Sequence, residues 1–73
     1  MLHKIKDLDE RVDTGTIVEW RSPQGTRYRY ERERCRVGKE TSNFGEFIWF
    51  LENVRDKREA KRAVFDAINA DEA

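Results

Sequence analysis

Arg21, Arg27 and Arg29 have the types and spacing most suited to chemistry in this sequence. Residues two apart on an extended strand share a face. Planar guanidinium forks bind carboxylate and phosphate. The chemistry is therefore anion recognition, by an acidic protein partner or, because arginine-rich β-ribbons bind nucleic acid, by a phosphate backbone. The competing reading neutralises these arginines internally. Glu19 falls opposite Arg29, Glu31 and Glu33 interleave with the arginines, and arginine stems cover apolar surface. Trp49 is a candidate of another kind, an aromatic anchor of the sort that dominates interface energetics; packing beneath a second helix or the N-terminal segment is its alternative. Phe65 shares a helix side with Arg58, Arg62 and Asn69 and completes the candidate partner-binding set. Trp20, Tyr28 and Tyr30 could stack bases, but they fall on the only apolar face of their hairpin, where a core role is expected.

Catalytic constellations are not evident. The one histidine, His3, sits close to a chain end, and alone it supports neither a triad nor a two-histidine metal site. Gly38-Lys39-Glu40-Thr41 lacks the upstream glycine of a phosphate loop and has Glu where Ser or Thr must bind magnesium. Carboxylate pairs such as Asp7 with Asp9, or Asp71 with Glu72, read as solvated acids without a cleft to shift them. A single cysteine, Cys35, excludes an internal disulfide and a cysteine-based zinc site. It lies in a strand pattern and reads as a small core residue, with a reactive thiol beside Arg34 and Arg36 as the alternative. No enzyme, metal or cofactor is expected.

The 15 basic and 15 acidic side chains cancel, but their distribution does not. Residues 1–20 carry net −2, residues 21–39 net +5 and residues 40–73 net −3. The positive block coincides with the arginine hairpin. Zero net charge weighs against nucleic acid, whose binding modules show a basic excess.

Elements must position these residues. Thr16, Val18 and Trp20 alternate with Ile17, Glu19 and Arg21, then Ser22-Pro23-Gln24-Gly25 breaks the pattern. Proline suits the second position of a type I turn, and glycine the left-handed position that follows. The resulting three-residue loop with a G1 bulge sets Trp20 opposite Tyr28, Glu19 opposite Arg29 and Val18 opposite Tyr30. One face then carries Val18, Trp20, Tyr28 and Tyr30; the other carries Ile17, Glu19, Arg21, Arg27, Arg29 and Glu31. Apolar parity changes beyond Glu31, which predicts a bulge, bend or new strand near 31–34. Residues 33–37 are expected to pair with the segment around Leu2–Lys6. Capping-box spacing at Asp7 and Glu10 suggests a helical turn at 8–12. Phe44, Phe47, Ile48, Leu51 and Val54 recur at three- and four-residue spacing behind Asn43, predicting a helix over 44–53. Asp56-Lys57-Arg58-Glu59 starts another over 57–70, with Ala60, Ala63, Val64, Ala67 and Ile68 inward. One continuous helix is the alternative. The expected fold is α+β: an antiparallel β-hairpin or small sheet packed against two C-terminal helices.

At 73 residues the chain is one small domain, 1–73, with 1–13 as a flexible N-terminal segment. The longest apolar run, Phe47 to Leu51, is far below the roughly 20 residues of a membrane span. No apolar signal region follows the N-terminus. A cytoplasmic protein is expected, with no membrane partner. In length, charge density and α+β reading the chain resembles small phage-encoded host-takeover proteins, in particular regulators that bind bacterial RNA polymerase. No motif is shared, and no residue role carries over. The resemblance implies a non-enzymatic protein in the host cytoplasm that docks on a polymerase subunit and inhibits or redirects transcription. An anti-CRISPR or other anti-defence inhibitor, and a nucleic-acid-binding module using the arginine hairpin, are the alternatives.

Overall fold

The computed structural model describes Leu2 and residues 4–71. Five strands, β1 (Asp9–Asp13), β2 (Ile17–Arg21), β3 (Arg27–Glu31), β4 (Arg36–Glu40) and β5 (Phe47–Leu51), precede one helix, α1 (Lys57–Asp71). The strands form an antiparallel meander in the order β1-β2-β3-β4-β5. The fold is α+β, as the sequence pattern implies.

The β2–β3 hairpin has the register its loop dictates. Val18 pairs with Tyr30, Glu19 with Arg29, Trp20 with Tyr28 and Arg21 with Arg27. The Gly25 N–H donates to the Ser22 carbonyl, the Ser22 N–H donates to the Thr26 carbonyl, and Gly25 takes φ +87°. Val18, Trp20, Tyr28 and Tyr30 are buried against α1, which contributes Ala60, Val64 and Ile68 from one four-residue stripe. Leu8, Val37 and Val54 complete this core. The helix starts as its capping box requires: Asp56 Oδ1 accepts the Glu59 N–H at 2.8 Å.

Three expectations are overturned. The segment 44–53 is a turn and a strand, not a first helix. Phe44 and Gly45 occupy a turn closed by the Glu46 N–H to the Asn43 carbonyl, with Gly45 at φ +81°. Phe-Ile-Trp-Phe then suits a pleated surface, and a five-residue apolar run satisfies helical and strand spacing alike. Asn53, at φ +62°, turns the chain out of β5, so the described residues hold one α-helix, over 57–71, and not two. The second correction concerns residues 33–37. Arg32–Cys35 form a tight turn, with the Cys35 N–H donating to the Arg32 carbonyl and Cys35 at φ +51°. So short a reversal lays β4 beside β3, and β4 pairs with β3 and β5 rather than with the N-terminus. Cys35 is thus a half-buried turn residue, not a strand residue. Third, the helical turn expected at 8–12 is a 3₁₀ turn at Ile5–Asp7 followed by β1. Burial of Leu8 in the core and pairing with β2 override the capping spacing.

Candidate functional site

The sheet has one face under α1 and one face that no element among the described residues covers. On the open face β2, β3, β4 and β5 bring Glu19, Arg27, Arg29, Glu31, Arg36, Glu40, Phe47 and Trp49 together. Glu19, whose side chain is only 7% exposed, receives Arg27 at 3.3 Å and Arg29 at 2.6 Å. Arg27 also bonds Glu40, whose carboxylate accepts the Gly45 N–H at 2.9 Å. The Glu40 hydrogen bond holds the Arg27 guanidinium above its ordinary pKa, and Arg27, then the Gly45 amide, hold Glu40 below the usual carboxylate value. Arg36 donates to Glu31 at 2.6 Å.

Aromatic rings interleave with these cations. Arg27 lies 5.1 Å from the Phe44 ring centre and 5.5 Å from that of Phe47, and Arg29 lies 4.5 Å from Phe47. Phe47 stacks on Trp49 at 5.5 Å, and Arg36 covers Trp49 at 3.8 Å. The Trp49 ring reaches this position because its cross-strand neighbour is Gly38, where a β-carbon would lie 2.6 Å from Trp49 Cε3. The open face is therefore a layer of paired charges and rings, in which Arg27 and Arg29 are engaged with Glu19 and Glu40.

The sequence-selected residues separate into two places. Arg21, Arg27, Arg29 and Trp49 share the open sheet face, with Arg21 exposed at its corner across from Asp9. Arg58, Arg62 and Phe65 lie on α1. Arg58 and Arg62 are exposed and line an open depression with Ile5, Leu51 and Ala63, while Phe65 is half-buried against the core. Arg62 pairs with Asp66 at 3.3 Å and sits 5.5 Å from the Phe65 ring. His3 and Glu72 lie outside the described residues. Among the described residues no group of three or more His, Cys, Asp or Glu could hold a metal ion. No helix among them is long and apolar enough to cross a membrane.

A feature missed by helical reading is the β5 edge. The sheet has two edge strands of opposite character. β1, Asp9-Glu10-Arg11-Val12-Asp13, is charged at four of five positions and is bulged between Glu10 and Val12. Both devices discourage pairing with another chain. β5, Phe47-Ile48-Trp49-Phe50-Leu51, is also bulged, at Phe50, but has no charge and no proline. Ile48 is 63% exposed, Phe50 42% and Leu51 39%, beside a Phe44 that is 92% exposed. The Thr41 N–H donates to the Glu46 carbonyl, which makes that pair hydrogen-bonded. Alternation along an antiparallel ladder then turns the N–H and C=O groups of Phe47 and Trp49 away from β4, toward the open side. The signal in the sequence was the charge-free run itself, bracketed by Glu46 and Glu52. Compared with protein families, curated proteins and solved structures, the chain matches none.

Proposed function

We propose that this chain is a non-catalytic protein-binding module that takes up an extended segment of a partner as an added strand on β5. The supporting observation is the contrast in charge between its edges: both edge ladders carry a bulge, but β1 is charged at four of five positions, whereas β5 is uncharged and offers outward backbone groups flanked by exposed apolar side chains. Strand addition draws affinity from main-chain hydrogen bonds and specificity from alternate side chains. The open arginine face supports phosphate binding less well, because Glu19 and Glu40 already occupy Arg27 and Arg29. Regulation of a partner follows from occupying its surface, and bacterial RNA polymerase, the partner implied by resemblance, is the first to assay.

The test is capture of purified bacterial RNA polymerase, and of proteins from nuclease-treated bacterial lysate, by the wild-type chain and by Ile48→Lys/Phe50→Lys. Both substituted positions are exposed, so the fold is expected to survive. The reading requires the edge variant to lose at least about tenfold in partner retention, corresponding to about 1.4 kcal/mol, while Arg58→Ala/Arg62→Ala retains the partner. Equal retention by the edge variant overturns it. Capture that disappears on nuclease treatment replaces it with nucleic-acid binding.

A further inference from the structure

We infer that the segment accepted by β5 is an apolar strand carrying a basic residue at each end; this rests on the β5 docking reading above. Glu46 and Glu52 are both exposed and stand immediately before and after the uncharged strand. A strand of this length separates them by up to roughly 20 Å, with a bulge at Phe50 where the pairing passes from Gly38–Trp49 to Val37–Leu51. The cations next inward are already engaged: Arg27 holds Glu40, Arg36 holds Glu31, and Lys39 lies 3.6 Å from Asp71. Arg55 lies beyond the Asn53 turn, off the line of the strand. An incoming strand therefore meets carboxylates at both ends and an apolar, backbone-donating middle.

The same bracket disfavours a second copy of this chain. Two β5 strands related by a two-fold axis near Trp49 run antiparallel. Such a pairing brings Glu46 of each copy to the Glu52 end of the other, with the bulge at Phe50 shifting the exact opposition. Like charges across a strand pair are destabilising. The occupant that satisfies the edge is a strand of opposite terminal charge.

The full chain is titrated, with amide NMR shifts as the readout, with three capped peptides at up to millimolar concentration: Lys-Thr-Val-Thr-Val-Thr-Lys, the same with Ser at both ends, and the same with Glu at both ends. Expected shifts centre on Phe47 and Trp49, with the basic peptide binding about tenfold more tightly than the neutral one and the acidic peptide weakest. Glu46→Lys/Glu52→Lys inverts that order. In sedimentation, the wild-type chain is a monomer and Glu52→Lys dimerises, because Glu46 then lies near the introduced cation at both ends of the pair. Equal binding of the three peptides, or Glu52→Lys no more dimeric than wild type, overturns the basic-strand inference and leaves strand addition standing. A wild-type dimer abolished by Ile48→Lys overturns it in favour of a second copy. No shift at β5 with any peptide overturns the docking reading itself.

Discussion

Gly38→Ala tests the packing that supports β5. Gly38 is buried on β4 with the Trp49 ring lying against it. A β-carbon there would stand 2.6 Å from Trp49 Cε3 and 3.0 Å from the Ile48 carbonyl oxygen. Favourable carbon–carbon contact needs about 3.5–4.0 Å, so the ring must retreat by about 1 Å. Such overpacking costs about 1–3 kcal/mol. Alanine's smaller unfolded-state entropy offsets about 0.4–1 kcal/mol. The net expectation is a loss of about 1–2 kcal/mol, or a Tm drop of roughly 5–15 °C in a domain of this size. Thermal and urea unfolding followed by circular dichroism measure it, with tryptophan fluorescence reporting ring displacement. The same substitution in a Trp49→Ala background should cost less than about 0.5 kcal/mol, because the two close contacts with the Trp49 ring are gone. An unchanged or raised Tm, or an equal penalty in both backgrounds, refutes the argument.

Two further outcomes concern acid stability and the helix start. Arg27 and the Gly45 amide hold Glu40 below its ordinary value of 4.5, so its contribution is present above that value and is lost as pH falls through the lower folded pKa. Tm should therefore fall on acidification below about pH 4.5, and Glu40→Gln should show a shallower fall after losing about 0.5–1 kcal/mol at neutral pH; parallel profiles for the two proteins would contradict this. Asp56→Ala removes the acceptor for the Glu59 N–H and should lower stability by about 1 kcal/mol in urea titration, with Asp56→Asn much milder.

Local chemistry explains what was legible before the structure. The Ser22-Pro23-Gln24-Gly25 loop has a specific backbone requirement, and a two-residue period leaves one register that keeps Val18, Trp20, Tyr28 and Tyr30 on one side. Asp56 and Glu59 are three residues apart, so the start of α1 and its Ala60-Val64-Ile68 stripe are local properties as well. Of the candidate site, the Glu19–Arg29 opposition and the shared face of Arg21, Arg27 and Arg29 were visible. The proximity of Trp49 to Arg36, and of Arg27 to Glu40 and Phe44, was not, because these contacts join β3, β4, β5 and the turn before β5, whose adjacency depends on strand pairing.

By itself, the sequence determined the elements built from contacts a few residues apart: the β2–β3 hairpin with its two faces, and the capped C-terminal helix. Only the tertiary structure decided the fate of residues 44–53 and 8–13, whose apolar and capping spacings suit helix and strand alike. Gly45 in a left-handed turn and the free ladder of β4 make Phe47–Leu51 a strand, and β2 recruits Asp9–Asp13 on the other side. Neighbouring strands supply hydrogen bonds that no local pattern encodes, and in this protein they turn an expected buried helix face into an exposed, uncharged sheet edge.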